Sequence, residues 1–598
     1  MLPLISIVAI IFLGANCQRR TDSFVYRVSF SFICLFGFII TSGLVAGFLS
    51  FRITDLIVRI AIGAIFLLLL LLNWRVINSR QQGSKLVRPT VTAMAILPTI
   101  FLLGVGILFV IKTSHNMHFL LSTIDGTTNP GFVTALRFFE QISSFSKQKG
   151  LEGYPIGMHY VASWFADLYP SFTQPSSLWT VQAFSATLFV VYALIIAQVG
   201  ELTRDLCGTA NLKKSFQLTA GFGPQLLLVS PFFVKNLLML YSLAFLGALS
   251  VTLSMILFSL KRQRALADKD NHRGGIVISL GLLMLSVSYP TFLLVGISLL
   301  IIFLFQPSIS HTFVVLVRNI FGKMVLVLLS FSLAIVAIQS YSAVINQLSA
   351  FSPGSSSNVS RFSLSGHLIS LDGLLVLMIS LLAIASALFF YKRRLVEARI
   401  LFLFLTPVLL TVIASWLLSN SFDRSYGLNY YAKKSEYQLV VLLAPLAFYG
   451  FFQVVEWLAR LTKNLSFVVF AFVLATAFST SIIVRDGMFG ALIVPTISNK
   501  TQSKLMTYAL QEAEIDGRSI IWDDSLRWLS QQSSMMSVQI DPTSWLEPDM
   551  DNLFIVMVQQ LSIHDSTQPW ISSCGFLNSR NFGRGHIVEI AKKRITEC

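Results

Sequence analysis

The sequence predicts a polytopic α-helical membrane protein of about 13–14 transmembrane helices, with a small C-terminal extracytoplasmic α/β domain. Three observations predict it. Only 12% of the residues are charged, against about 25% in soluble proteins. Apolar runs of about 20 residues, the length that spans a bilayer, recur as far as Val484. From Arg485 onward charges become frequent and the apolar runs shorten.

The net charge of +16 raises the question of nucleic acid. Most of the Lys and Arg, however, sit in short loops between apolar runs. That is a membrane-orientation signal and not a phosphate-binding stripe, so no nucleic-acid partner is expected. Cysteines at 17, 34, 207, 574 and 598 show no metal-ligand spacing.

The first span is Met1 to Cys17, with Arg19 and Arg20 behind it. A signal peptide carries its charge ahead of the apolar run, so this reads as a retained span with its N-terminus outside. Val28 to Leu49, Leu56 to Trp74 and Thr90 to Ile111 complete an N-terminal block, residues 1–111. Residues 112–177 form the longest polar interruption in the apolar part of the chain and read as an external loop.

The transmembrane core, residues 178–484, opens with Leu178 to Gln198, Phe216 to Val234 and Leu237 to Leu260. Lys261, Arg262, Arg264, Lys269 and Arg273 make the next loop internal. Ile276 to Phe305 is long for one span and short for two. Pro290 in its middle favours a tight hairpin over one kinked helix. Counting two also keeps Lys392, Arg393, Arg394 and Arg399 inside. Met324 to Ile345, Leu374 to Tyr391, Ile400 to Leu418, Tyr437 to Val455 and Leu465 to Val484 follow.

In residues 485–598, Thr501 to Glu514 has helical spacing. Ser519 to Trp522, Leu553 to Val558 and His586 to Ala591 read as strands. By parity this domain is external. Cys574 and Cys598 fall in it, as a pair or as two free thiols.

The external loop holds the candidate chemistry. Asp125, in Ser122-Thr123-Ile124-Asp125-Gly126, is placed to act as general base, though Asp-Gly is equally a turn signal. Glu140 lies on a helical stretch, 131–144, and Glu152 precedes another, Met158 to Leu168. His115 and His118 have a spacing met in metal sites, too weak by itself to name a divalent metal. His159 either lines an acceptor pocket or bonds a loop carbonyl. Tyr430-Tyr431-Ala432-Lys433-Lys434, with Arg424 nearby, suits a lipid phosphate through point charges and phenol donors. The same residues also suit an interfacial anchor. Asp549-Met550-Asp551 is an isolated acidic triplet, read as a turn or surface feature. No phosphate-cradling Gly-rich loop or nucleophile elbow is present.

The early acidic loop with Asp125 and Tyr154-Pro155-Ile156-Gly157-Met158-His159, the Tyr289-Pro290 hairpin, Tyr430-Tyr431-x-x-Lys434 and the trailing domain together resemble the GT-C class of multipass glycosyltransferases. Among these, the layout is similar to actinobacterial cell-envelope members of arabinofuranosyl- and mannosyltransferase type. The resemblance implies a polyprenyl-phosphate-linked sugar donor, a glycan or glycolipid acceptor and no cofactor. It implies Asp125, or else Glu140 or Glu152, as base. Lys434, Lys433, Arg424, Tyr430 and Tyr431 would hold the donor phosphate, and His159, Tyr154 and His118 would border the acceptor. Trp522, Trp528, Trp545 and Trp570 would offer stacking surfaces or fill the core. Two other classes stand beside this one: a transporter or flippase of a lipid-linked glycan, and a non-catalytic envelope-assembly protein.

Overall fold

The computed structural model describes residues 2–18, 23–49, 53–80, 156–168, 176–209, 214–229, 233–238, 242–264, 268–289, 292–304, 327–330, 332–333, 378–388, 401–410 and 428–462, isolated positions at 104, 132, 133 and 136, and four strands. Its helices are α1 (Leu2–Asn16), α2 (Phe24–Phe48), α3 (Asp55–Arg80), α4 (Gly157–Ala166), α5 (Ser176–Thr209) and α6 (Lys214–Val229). Beyond a π-helical turn at Val234–Leu238 come α7 (Leu243–Arg264), α8 (Asp268–Ser288) and α9 (Leu293–Leu304). Then follow α10 (Met378–Leu388), α11 (Leu401–Leu410) and α12 (Leu428–Thr462). Among the described residues five helices are long and apolar enough to cross a membrane, within α2, α3, α5, α7 and α12. The chain is thus a multipass helical membrane protein. Thr90 to Ile111 and Leu465 to Val484 lie outside the described residues, apart from Gly104.

Local chemistry sets the helix ends. Pro3 sits in the first turn of α1, where a missing N–H costs nothing. Ser23 caps α2 by accepting from the Tyr26 backbone N–H at 3.4 Å. The expected basic loop after α7 shrinks to three residues, because α7 runs to Arg264 and α8 begins at Asp268. The expected span Phe216 to Val234 ends instead at Val229, and the helix expected from Leu237 starts at Leu243.

The stretch 276–305 is two arms. Helix α8 stops at Ser288, and α9 folds back so that Gly296 packs against Leu282 and Leu285. A single kinked helix would leave Gly296 well over 10 Å from Leu285 along its axis.

Helix α5 is the hub. It touches α1, α2, α4, α6, α7 and α12 and is buried along nearly all of its described length. Inside it, the Gln198 amide donates to Ser254 Oγ at 2.7 Å and Ser29 Oγ at 3.2 Å, and accepts from Ser250 Oγ at 3.2 Å. This joins α5 to α2 and α7. In contrast, α3 packs mainly on α1 and exposes Leu56, Ile60, Leu67, Leu71 and Trp74. Lipid is the solvent that such a face requires.

In the C-terminal region β1 (Ser519–Trp522), β2 (Leu553–Gln559), β3 (Asn578–Asn581) and β4 (Gly585–Ala591) form one sheet, ordered β1-β2-β4-β3. β1 and β2 are parallel, with Ser519 opposite Phe554; the β2–β4 and β3–β4 pairs are antiparallel. The three expected strands coincide with β1, β2 and β4. The fourth, Asn-Ser-Arg-Asn, has no apolar run to betray it. The helix expected at Thr501 to Glu514 and both C-terminal cysteines lie outside the described residues.

Close packing gives a direct test. A Cβ on Gly247 would lie 2.5 Å from Cγ of the fully buried Met158, so α7 and α4 meet only because residue 247 has no side chain. Gly247→Ala is expected to destabilise the protein by about 1–3 kcal/mol. Adding Met158→Ala should recover part of that loss, read as thermal unfolding of the detergent-solubilised pair.

Candidate functional site

Helix α4 belongs to the stretch read as an external loop, yet it is packed inside the bundle. Every residue from Gly157 to Ala166 is buried except Tyr160, which is half-buried. The helix packs on α2, α5, α7 and α8. Tyr160 covers Gly43 of α2, and Trp164 meets Phe38 of α2 edge-on at 6.1 Å. One chain number rises while the other falls, so α4 runs antiparallel to α2. Over those four residues it advances about 6 Å along that helix.

The spacing of His159, Ser163 and Asp167 places them one turn apart on one face, and all three are buried. His159 has no exposed surface and packs against Phe132 at 5.4 Å between ring centroids. Burial pushes its imidazole down to about 3, against a smaller opposing effect of the Ile156 backbone. The ring is therefore neutral at pH 7 and offers one donor and one acceptor. Ser163 Oγ donates to the Tyr160 carbonyl at 2.8 Å. The Asp167 carbonyl accepts from Arg59 Nε at 2.7 Å, which fastens the end of α4 to α3. Burial raises the Tyr160 phenol to about 12, so it stays protonated.

Other elements close this end of the bundle. Phe245 of α7, Tyr289 and Phe292 form an edge-to-face triad with centroids 5.6–5.7 Å apart. Gly157 abuts Ser288, whose buried hydroxyl has no hydrogen-bond partner among the described residues. Neither the neutral imidazole nor the Ser288 hydroxyl carries charge, so this face can hydrogen-bond a hydroxyl but cannot neutralise an ion.

Of the residues singled out in the sequence, Asp125, Glu140, Glu152, His115, His118, Tyr154 and Arg424 lie outside the described residues. The backbone at Tyr430, Tyr431, Lys433 and Lys434 is helical, because α12 starts at Leu428 rather than near Tyr437. At the other end of α12, the buried Glu456 lies near Cys207 of α5. Lys434 stands 22 residues earlier, about 33 Å away along the helix. That brings the first turns of α12 to the α4 end of the bundle. Among the described residues no group of three or more His, Cys, Asp and Glu could hold a metal.

The sequence reading missed the opposite end. There Glu201, 3% exposed, forms an ion pair with Arg204 and bonds the Ser23 hydroxyl. One turn on, Tyr26 donates its hydroxyl proton to Asp205 Oδ2 at 2.6 Å, with the Leu257 carbonyl 3.1 Å away. Val199, Leu202 and Leu206 continue the three-and-four apolar spacing past Gln198, the signal that α5 runs on to Thr209.

No family model matches the chain, and no curated protein matches it in sequence.

Two measurements test these sites. The folded His159 titrates below its unfolded value of about 6.5. Its contribution to stability is therefore complete above that pH and is lost on acidification toward pH 3. His159→Gln should flatten the acid limb of a stability-against-pH curve by up to one proton's slope. At the other end, Arg204→Ala strands a buried carboxylate and should cost roughly 3–5 kcal/mol. Tyr26→Phe should cost about 1.5–3 kcal/mol. Equilibrium unfolding in detergent would rank the two.

Proposed function

We propose that the protein is a GT-C type membrane glycosyltransferase, moving a sugar from a polyprenyl-phosphate donor to a cell-envelope glycan or glycolipid at the outer membrane face. What supports the reading is that two segments distant in sequence fall on the same side of the bundle. Glu456 of α12 lies near Cys207 of α5, so helix length puts the first turns of α12, which bear Lys433 and Lys434, on the same side of the bundle as the buried polar face of α4. The basic residues Arg27, Arg204, Lys261 and Arg273 gather at the opposite end, which the charge rule assigns to the cytoplasm. On that orientation the N-terminus is external, and so is the C-terminal region, with its sheet as the core of an α/β domain that helps hold the acceptor.

In this mechanism Asp125 takes the proton of an acceptor hydroxyl as that oxygen attacks the anomeric carbon. Glu140 and Glu152 are the substitutes for that role. Lys434 and Lys433, with Arg424, Tyr430 and Tyr431, stabilise the departing polyprenyl phosphate. His159 orients the acceptor through its neutral ring, with Tyr154 and His118 beside it. The donor's lipid tail stays in the bilayer, which is why such a site belongs at a bundle end and needs no nucleotide.

A transporter is the second reading, favoured by the buried carboxylates Glu201 and Glu456 in candidate spans. Both lie at span ends, about 33 and 28 Å from Trp179 and Tyr437 respectively. A translocation pathway places ionisable groups at mid-membrane.

Asp125→Asn is expected to lower sugar transfer by at least about 100-fold, within the range for loss of a general base. Membrane insertion should be unchanged. The check is transfer from a polyprenyl-phosphate sugar in membranes with and without the variant, read by glycan analysis. Full activity would move the base to Glu140 or Glu152, and no transfer by the wild type from any such donor would remove the reading.

A further inference from the structure

We draw no further inference here: the strongest candidate, the buried Ser288 hydroxyl packed against Gly157 at the start of α4, belongs to the site already described, and nothing in the structure shows a ligand reaching it.

Discussion

A polar group on α5 has no water to turn to. Leaving it bare inside an apolar bundle costs several kcal/mol, so it is satisfied either within α5, as for Thr187 and Thr203, or by a neighbouring helix. Gln198 finds serines on α2 and α7, Tyr192 gives its hydroxyl proton to the Leu228 carbonyl of α6 at 2.7 Å, and Glu201 is held by Arg204 and Ser23. These contacts matter beyond their individual strength. Lipid tails are as apolar as Leu, so burial alone hardly favours one helix register over another in a membrane. A hydrogen bond that closes in one register and opens in the next does favour it. The polar side chains of α5 thereby fix how α2, α6 and α7 sit around it.

The same constraint explains α4. Ten residues span about 15 Å, half of the hydrocarbon thickness, so α4 cannot cross. It enters from one end, and the chain must return to begin α5. Membrane-depth backbone of this kind is stable only where protein surrounds it. Gly43 and Gly247 supply that enclosure, one by admitting the Tyr160 ring and the other by admitting the Met158 side chain. A polar face held this deep by glycine-mediated packing cannot be explained as a surface turn. It places His159 in a medium where its neutral form persists and its hydrogen bonds are strong.

The helical membrane class was legible because hydropathy reports the bilayer directly. The hairpin at Tyr289-Pro290 was legible because proline breaks a local pattern, and the strands β1, β2 and β4 because apolar runs mark them. What stayed hidden was neighbourhood. Helices α3 and α5 are similarly apolar in sequence, yet one faces outward and the other is the hub, since lipid and protein interior look alike to a side chain. The depth of α4 was hidden for the converse reason. Its flanking stretches are polar, so the expected helix Met158 to Leu168 reads as part of an external loop, and the glycines that receive it lie more than 80 residues away in sequence at Gly247 and more than 100 at Gly43. The Glu201 cluster was missed because the expected span ends at Gln198 while the helix runs on to Thr209.

The two ends of the bundle therefore ask for different partners. Among the described residues, the α4 end offers a neutral imidazole, buried hydroxyls and aromatic edges, and its Arg59 is already engaged with the Asp167 carbonyl. On the proposed function, the departing phosphate needs charge brought there by another segment. The first turns of α12 carry that charge in sequence and arrive at that end by geometry. At the far end Lys261 and Arg273 lie beside the Tyr26 and Phe30 rings, and Arg204 pairs with Glu201. An apolar bundle with a neutral polar face toward one end and ionic groups at the other is held at a fixed depth in the membrane. On the proposed function, that fixed depth lets donor and catalyst meet at the same height in the bilayer.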